Sequence, residues 1–398
     1  MIKTNDRVKN LRSPIRDILK VANVLEVEHK ELFYMNSGDP NKFDFDTPEY
    51  LKQELINVAK GKTGNYSRSE GDVELVEAII KREAKKNLVK LSKDDITVTQ
   101  GTSEGISFLF GAGLDAGDEV LLAGPGYPSY IQLAKFFGGV TTSYRCDEEN
   151  GWQPDVDDIR KKITDKTKFL FILNPNNPTG AVYSRSTLKQ IVDVAAEHKI
   201  ALVSDEIYDQ LIFGDTEHYG LASLAKDTSV VVFNGFSKGY LMPGWRVGYV
   251  YFHDPADILG DLKDGINNQA RQRISANTLV QKVCAKAFDG PQDHIKEMNK
   301  KLKERAEFAY KRLNEINRIS AVKPEGAFYI FPKVDMGNRW KNDEEFTIDV
   351  LRNTGVIFPY GSGFDAVYGK GHFRSIILPP IELMNRAFQK LDNFMKRT

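Results

Sequence analysis

Short apolar runs alternate with longer mixed segments between residues 96 and 252. The runs lie at 96–99, 119–123, 168–173, 200–204, 230–233 and 246–252. Most of the segments between them are long enough to form a helix. This alternation predicts an α/β domain in which a mostly parallel sheet is flanked by helices.

One helix is marked clearly, directly after the first run. Gly101 predicts a turn, Thr102 and Ser103 are good residues for a helix N-cap, and positions 106, 109, 110, 113 and 114 share one face. We therefore expect a helix that begins immediately after a strand, at the edge where ligands usually bind in α/β proteins.

Beyond residue 290 the pattern changes. The stretch 294–316 is typical of a long charged helix, and short apolar runs follow at 327–331, 356–358 and 373–378. A last helix then turns one face inward, with Met384, Ala387, Phe388, Leu391 and Met395 on it. We expect a large domain of residues 46–290 and a smaller α+β domain formed by residues 1–45 and 291–398.

Composition excludes several classes of protein. The 398 residues are 41% apolar and 28% charged, as in ordinary globular proteins, and the length favours two domains. Lys+Arg and Asp+Glu both number 55, so no bulk positive field is available to bind nucleic acid or an anionic membrane. No run approaches the ~18 apolar residues of a membrane span, and no apolar signal segment opens the sequence.

Cysteine usage adds to this picture. Cys146 and Cys284 supply neither a disulfide framework nor the spacing of metal ligands. We therefore expect a cytoplasmic protein that has no metal, no nucleic-acid partner and no membrane partner.

The stretch GFSKGYLMPGWRVG, from Gly235 to Gly248, places one lysine among small and aromatic residues directly after a run. An amine withdrawn from water loses its proton readily and becomes a nucleophile toward carbonyls, so Lys238 is suited to a Schiff base. Small residues such as Ser237 let a planar group approach the backbone, and Arg246 can bind an anionic group such as phosphate. The alternative is a surface loop with a solvated lysine and a structural ion pair at Arg246.

Polar residues follow two other runs. Asp205 directly follows the run 200–204, with Tyr208 three residues later, and Asn177 lies in the rigid turn NPNNPTG. A carboxylate at a strand end can keep a ring nitrogen protonated, while Tyr208 and Asn177 can donate to a ring oxygen. Alternatively, Asp205 caps the next helix, Tyr208 packs in the core, and turn chemistry accounts for the prolines.

Two further segments suit a planar, anionic ligand. In QGTSEGIS a glycine turn precedes a helix N-terminus, so Thr102, Ser103 and Glu104 are candidates to hold a phosphate. Tyr127, in the constrained turn GPGYPSY, can stack on a planar ring. Each signal has a simpler alternative, because many capped helices bind nothing and a tyrosine often packs on its own loop.

Taken together, the motifs resemble the pyridoxal-phosphate-dependent aminotransferases of fold type I, class I/II, and look most like the archaeal alanine aminotransferases among them. The similarity runs in order through SGDPNKFDF, NYSRSEG, GTSEGI, PGYPSY, NPNNPTG, SDEIY, GFSKGYLMPGWRVGY, PEGAFYIFP and GHFRSIILPP. It implies a large domain built on a mostly parallel seven-stranded sheet, a smaller α+β domain, and pyridoxal 5′-phosphate as cofactor.

The resemblance also implies roles for the residues around the cofactor ring. Lys238 would bind the cofactor covalently and, once displaced by substrate, carry the proton between the substrate α-carbon and C4′ of the cofactor. Asp205 would pair with the ring nitrogen, Tyr208 and Asn177 would hydrogen-bond the ring oxygen, and Tyr127 would stack on the ring face.

The same resemblance implies how the phosphate is held. Arg246, Ser237 and the turn formed by Thr102, Ser103 and Glu104 would bind it from one chain. Tyr66 in NYSRSEG matches a tyrosine that reaches the phosphate from the partner subunit, so a homodimer with shared active sites is implied.

For the substrate, Arg374 in GHFRSI matches the arginine that clamps the α-carboxylate in a bidentate pair, with Gly38 and Asn177 beside it. Arg271 and Arg273 are possible contacts for a second, distal carboxylate, or members of structural ion pairs.

The implied reaction is a ping-pong transfer of the α-amino group from an amino acid, with alanine expected, to 2-oxoglutarate. Aspartate or aromatic amino acid aminotransferase and a pyridoxal-phosphate-dependent β-lyase stay open, because one fold hosts several chemistries. A non-enzymatic ligand-sensing regulator is a remote alternative, since the sequence shows no basic helix-turn-helix segment.

Overall fold

The computed structural model describes residues 2–9, 11–27 and 31–397. The helices in these ranges are α1 (Asp6–Lys9), α2 (Pro14–Asp17), α3 (Leu19–Val27), α4 (Glu49–Ala59), α5 (Val73–Lys86), α6 (Thr102–Gly113), α7 (Pro128–Phe136), α8 (Val156–Lys162), α9 (Arg185–His198), α10 (Leu221–Leu224), α11 (Gly260–Gln272), α12 (Thr278–Cys284), α13 (Asp293–Asn314), α14 (Asp343–Thr354) and α15 (Ile381–Met395). The strands are β1 (Phe33–Tyr34), β2 (Ile96–Thr99), β3 (Glu119–Gly124), β4 (Val140–Asp147), β5 (Gln153–Pro154), β6 (Thr167–Leu173), β7 (Ala201–Asp205), β8 (Val230–Gly235), β9 (Gly248–His253), β10 (Ile319–Ser320), β11 (Tyr329–Ile330), β12 (Lys333–Val334), β13 (Val356–Ile357) and β14 (Ser375–Ile376).

A mixed sheet with the strand order β2-β9-β8-β7-β6-β3-β4-β5 forms the centre of the large part of the molecule. The five strands from β8 to β4 are parallel to one another. Strand β9 is antiparallel to both of its neighbours, and β5 is antiparallel to β4. The predicted large, mostly parallel sheet is therefore confirmed. It has eight strands where seven were predicted, because the two-residue strand β5 extends one edge.

Both faces of this sheet are buried, because alternate residues of each strand point into different apolar clusters. In β6, Phe169 and Phe171 pack in the cluster that includes Phe110 of α6. Leu170, between them, packs on the opposite face in the cluster that includes Leu188 of α9. Helices on both faces explain why the central strands read as continuous apolar runs in the sequence.

Helix α6 begins at Thr102, so the expectation that Thr102 or Ser103 caps it is wrong. Gly101 occupies the N-cap position with φ 75°, in the left-handed region that favours glycine. A Cβ atom there would lie 2.4 Å from Nη2 of Arg246. The glycine therefore lets the arginine approach the start of the helix.

The C-terminal part packs helices α13, α14 and α15 together beside short strand pairs. The residues predicted for the inward face of α15, from Met384 to Met395, are buried. Strand β1 pairs in parallel with β13, and Phe33 lies opposite Val356. This pairing ties the N-terminal segment to the C-terminal part. The division into a large domain of residues 46–290 and a smaller domain of residues 1–45 and 291–398 stays a prediction. In the described ranges, no helix combines the length and the apolar character of a membrane span.

Candidate active site

A cavity of about 800 Å³ lies at the carboxyl ends of strands β3, β6, β7 and β8. Loops at one edge of the sheet meet there because these four strands are parallel neighbours. Eleven of the thirteen residues predicted for the site line the cavity: Gly38, Thr102, Ser103, Tyr127, Asn177, Asp205, Tyr208, Ser237, Lys238, Arg246 and Arg374. Glu104 and Tyr66 are not among the lining residues.

Lys238 follows β8 and is partly buried at the wall of the cavity. Its Nζ donates a hydrogen bond of 2.7 Å to the carbonyl oxygen of Gly38. Burial lowers the pKa of Lys238 to about 8; the positive charges of Arg374 and Arg246 act in the same direction, while Asp39 and Asp205 oppose them. At pH 7 roughly a tenth of this amine is therefore neutral and nucleophilic, far more than for a lysine with its ordinary pKa of 10.5.

Asp205 ends β7 and is 3% exposed. Its Oδ2 accepts a hydrogen bond of 2.6 Å from the hydroxyl of Tyr130, and its Oδ1 accepts one of 3.1 Å from the backbone N–H of Ile207. Burial raises the pKa of Asp205 to about 6, although both hydrogen bonds and the charge of Lys238 oppose that rise. Both hydrogen-bond donors are neutral, so the carboxylate is suited to a cationic ligand group.

Tyr130 was not predicted as a site residue. It lies on α7, three residues after Tyr127, and the two rings meet edge to face with their centroids 5.3 Å apart. The motif GPGYPSY contains both tyrosines, so the helical spacing of three was the available signal.

Arg374 is 1% exposed and reaches the cavity from the C-terminal part of the chain. Its Nη1 donates to Oδ1 of Asn177 at 2.9 Å, and its Nη2 donates to the backbone oxygen of Asn36. Nε has no hydrogen-bond partner among the described residues. Two of the five guanidinium N–H groups are thus engaged, and those that remain can bind a carboxylate.

The oxygen of the Asn177 side chain is used by Arg374, which leaves the amide NH₂ group free to donate to a ligand. Tyr208 is 4% exposed, and its hydroxyl lies 2.9 Å from the hydroxyl of Tyr329. Tyr329 also lines the cavity, although the sequence pattern marks only a short apolar run there.

The start of α6 forms another wall. Arg246 approaches it, donating from Nη1 to the oxygen of Pro243 at 2.9 Å and from Nη2 to the oxygen of Gln100 at 3.1 Å. The free backbone N–H groups of the first helical turn and the cationic side chain of Arg246 favour an anion at this position.

Glu104 turns its side chain away from the cavity. Its Oε2 accepts a hydrogen bond of 2.7 Å from the backbone N–H of Gln100 and lies 3.6 Å from Nη1 of Arg273. Only the backbone of Glu104 is therefore placed to take part in an anion site at the helix start.

Tyr66 lies in the loop between α4 and α5 and is 75% exposed. The side chains of Ile56 and Val73, on the two flanking helices, are about half exposed. Tyr66 makes no contribution to the cavity of its own chain.

Two arginines that were not predicted for the site line the cavity, whereas Arg271 and Arg273 do not. Arg271 faces Glu70 at 3.4 Å, and Arg273 donates to the backbone oxygens of Ser69 and Val98. Arg12 and Arg16, from the N-terminal segment, do line the cavity. Sequence reasoning missed them because no motif marks that segment.

Comparisons with known proteins find similarity over nearly the whole length of this chain. A sequence profile of the family "Aminotransferase class I and II" matches residues 31–391. An alanine aminotransferase of Mycobacterium tuberculosis is 35% identical over 398 residues, covering 99% of this chain and 91% of the relative. The glutamate-pyruvate aminotransferase AlaA of Escherichia coli K12 is 34% identical over 400 residues, covering 99% and 98%. The structure of an alanine aminotransferase from Pyrococcus furiosus superimposes with a TM-score of 0.97 at 47% identity, covering 100% of both chains.

Proposed function

This chain belongs to the class I and II aminotransferases, and from that premise we propose that it moves the α-amino group of alanine to 2-oxoglutarate with pyridoxal 5′-phosphate as cofactor. One observation carries the proposal. Lys238, with its lowered pKa, and Asp205, a buried carboxylate with neutral partners, open onto the same cavity as the incompletely bonded guanidinium of Arg374.

The residues around the cavity fit pyridoxal phosphate. Lys238 offers an amine, Asp205 offers an anionic partner for a protonated ring nitrogen, and the start of α6 with Arg246 offers an anion site. When bound, the cofactor supplies an aldehyde carbon that bonds to an amine and a ring that takes up the electron pair left by the departing α-proton.

Lys238 carries out the proton transfer in this proposal. Its neutral Nζ would remove the proton from the substrate α-carbon and deliver it to C4′ of the cofactor. A pKa of about 8 suits this work, because the group must both accept and release a proton near neutral pH.

The other large-domain residues hold the cofactor. We assign Asp205 to the ring nitrogen, Tyr208 and Asn177 to the ring oxygen, and Tyr127 to the ring face. The phosphate is assigned to Ser237, Arg246 and the backbone of the turn 102–104. Burial of Asp205 strengthens its attraction to a cationic ring nitrogen, because few water molecules screen the pair.

Arg374 orients the substrate. Its free N–H groups, with Nε among them, suit a bidentate contact with the α-carboxylate. The stacked ring of Tyr329, 4.4 Å from the guanidinium carbon, and the bond to Asn177 hold the side chain in place before substrate arrives. We assign Gly38 to the same carboxylate through its backbone.

The functional unit proposed is a homodimer with shared active sites. Tyr66 points to solvent beside half-exposed apolar residues, so a contact between Tyr66 and a phosphate requires a second copy of the chain. Association of the two chains and binding of the cofactor would then favour each other.

Alanine is proposed as the donor because the Mycobacterium and Pyrococcus relatives are named as alanine aminotransferases. The name of the Escherichia coli relative pairs glutamate with pyruvate, which supports 2-oxoglutarate as the acceptor. We propose a ping-pong order, in which the first oxo acid would leave before the second binds, because one cavity would serve both acids.

A donor panel tests the proposal. The purified protein, supplied with pyridoxal phosphate and 2-oxoglutarate, is given alanine, aspartate, phenylalanine or tyrosine, and glutamate and the new oxo acid are both measured. We expect the highest kcat/KM with alanine, with pyruvate and glutamate formed in equal amounts. A higher kcat/KM with aspartate or an aromatic donor would overturn the alanine assignment, and ammonia released without glutamate would indicate a lyase. The Lys238→Ala protein serves as the inactive control.

A further inference from the structure

Tyr329 lies where the C-terminal part of the chain meets the cavity. It is 3% exposed and belongs to β11, which pairs with β14 so that Tyr329 lies opposite Ile376. Strand β14 begins one residue after Arg374. Tyr329 therefore lies on one strand of this ladder, and Arg374 immediately precedes the other.

The ring of Tyr329 supports Arg374. The guanidinium carbon lies 4.4 Å from the ring centroid, a distance typical of a cation–π contact. Arg374 is almost completely buried, so this contact is poorly screened by water. The ring therefore helps to fix the plane of the guanidinium.

The hydroxyl of Tyr329 faces a different residue. It lies 2.9 Å from the hydroxyl of Tyr208, and either oxygen can be the donor. A Cβ atom at position 38 would lie 2.1 Å from this hydroxyl oxygen. Gly38, whose carbonyl accepts from Lys238, thus leaves the space that the hydroxyl occupies.

The backbone around Tyr329 is fastened to the loops of the large sheet. The N–H groups of Glu325 and Gly326 both donate to the oxygen of Gly180 at 2.9 Å, and the N–H of Ala327 donates to the oxygen of Leu211 at 3.0 Å. Gly180 closes the turn that carries Asn177, and Leu211 follows Tyr208 by three residues. These hydrogen bonds therefore fix the position of Tyr329 relative to the loops that carry Asn177 and Tyr208.

We propose that Tyr329 is a positioning residue that couples the carboxylate-binding arginine to the tyrosine assigned to the cofactor ring oxygen. The inference rests on the proposed function and goes beyond it, because Tyr329 acts through Arg374 and Tyr208. Its ring holds the guanidinium of Arg374, and its hydroxyl donates to the oxygen of Tyr208.

Proton counting sets the direction of that donation. Tyr208 has one hydroxyl proton, and when it donates that proton to the ring oxygen, its own oxygen can only accept. Tyr329 is the neighbour that supplies the donor. The chain of two hydroxyls orients the proton of Tyr208 toward the cofactor and strengthens its bond to the ring oxygen.

Two substitutions separate the hydroxyl from the ring. Tyr329→Phe removes the donor and keeps the ring, so the pH midpoint of the bound cofactor's visible absorbance should rise by about half a unit to one unit. A weaker donor at the ring oxygen favours the protonated form of the chromophore. Affinity for pyridoxal phosphate should fall about three- to tenfold, while the alanine concentration for half-maximal rate stays within about twofold of wild type.

Tyr329→Leu removes the ring as well. Arg374 then loses its stacking partner, and the alanine concentration for half-maximal rate in the first half-reaction should rise about three- to thirtyfold. If Tyr329→Phe raises this concentration as much as Tyr329→Leu, the ring is not what supports Arg374 and the inference is wrong.

A double-mutant cycle tests whether the hydroxyl acts through Tyr208. With Tyr208 already changed to Phe, adding Tyr329→Phe should produce no further shift in the absorbance midpoint. Additive shifts would contradict the proposal. Tyr144→Phe is the matched control, because the buried hydroxyl of Tyr144 also makes a 2.9 Å hydrogen bond, to the oxygen of Phe171, and does not line the cavity.

The wild-type protein distinguishes the two levels of failure. Absence of a cofactor band, or of transamination, in wild type would overturn the proposed function itself. A normal wild type with an unchanged midpoint in Tyr329→Phe would overturn only the role of Tyr329.

Discussion

The hydroxyl of Tyr130 donates a hydrogen bond of 2.6 Å to Oδ2 of Asp205, a carboxylate that is 3% exposed. A neutral donor compensates a buried negative charge only in part, so the pKa of Asp205 is raised to about 6 by burial. The proposed ring nitrogen would supply the missing positive charge. Cofactor binding and the ionisation of Asp205 should therefore be coupled.

This coupling predicts a pH dependence of the cofactor-free protein. Because the pKa of Asp205 is raised from 3.8 to about 6 in the folded state, its protonation stabilises the fold fully below pH 3.8, and that stabilisation is lost as the pH rises through 6. Asp205→Asn removes this titration. The free energy of unfolding of wild type should fall relative to the variant by about 1–2 kcal/mol between pH 5 and pH 8.

Urea unfolding of both cofactor-free proteins at the two pH values measures the difference. Tyr130→Phe removes a donor that lowers the pKa of Asp205, so it should make the dependence steeper. Parallel pH profiles for wild type and Asp205→Asn would contradict the account of Asp205 as a buried, underpaired carboxylate.

The uptake of cofactor should report the state of Lys238. Only the neutral amine attacks an aldehyde, and burial lowers the pKa of Lys238 to about 8. The rate of pyridoxal phosphate uptake by the cofactor-free protein should rise with pH and level off above about 8. Stopped-flow absorbance at a fixed cofactor concentration follows this rate.

Asp39 provides a control for this pH profile, because its charge raises the pKa of Lys238. Asp39→Asn should move the midpoint of uptake to lower pH. A rate that keeps rising toward pH 10.5, the ordinary pKa of lysine, would show that the reacting amine is not in a dry site.

Arg374→Lys should weaken substrate binding and spare the cofactor. Lysine cannot offer a bidentate contact to the carboxylate while also bonding Asn177, so the alanine concentration for half-maximal rate should rise about ten- to hundredfold. Affinity for pyridoxal phosphate should change less than about threefold. Arg386→Lys, at an arginine whose side chain is 57% exposed, is the control. Equal losses of substrate and cofactor affinity would assign Arg374 a structural role.

Shared active sites predict complementation between two defective proteins. A mixed dimer of Lys238→Ala and Tyr66→Ala chains has one site that retains both residues, because Tyr66 is assigned to the partner's phosphate. Mixing the two inactive proteins after dissociation and reassociation, at limiting cofactor, should restore activity. If the activity of the mixture only equals the sum of the activities of the two separate proteins, a shared site is excluded.

Much of the fold follows from local pattern, as the strands of the central sheet illustrate. Strands β6, β7 and β8 are buried on both faces and stand out as apolar runs. Strand β4, in contrast, mixes exposed and partly buried residues near the edge of the sheet, so its sequence VTTSYRCD carries no such run. An edge strand has less apolar surface to bury, and its signal is correspondingly weak.

The residues of the candidate site also divide into those that the local sequence pattern marks and those that it does not. Asp205 ends a strand, Asn177 and Lys238 lie within four residues of a strand end, and the parallel order of those strands brings the three together. The contact of Tyr329 with Tyr208 joins positions 121 residues apart, and that of Tyr130 with Asp205 joins positions 75 apart. Such pairs depend on how helices and domains pack, which the local pattern does not encode.

The central claim is that Lys238 holds the cofactor, and reductive trapping tests it most directly. Wild-type protein loaded with pyridoxal phosphate is reduced with borohydride, digested, and the modified peptide is identified by mass spectrometry. We predict loss of the visible absorbance band and a single stable adduct on Lys238, absent from Lys238→Ala. An adduct on a different lysine, or none in a protein that still catalyses transamination, would contradict the account.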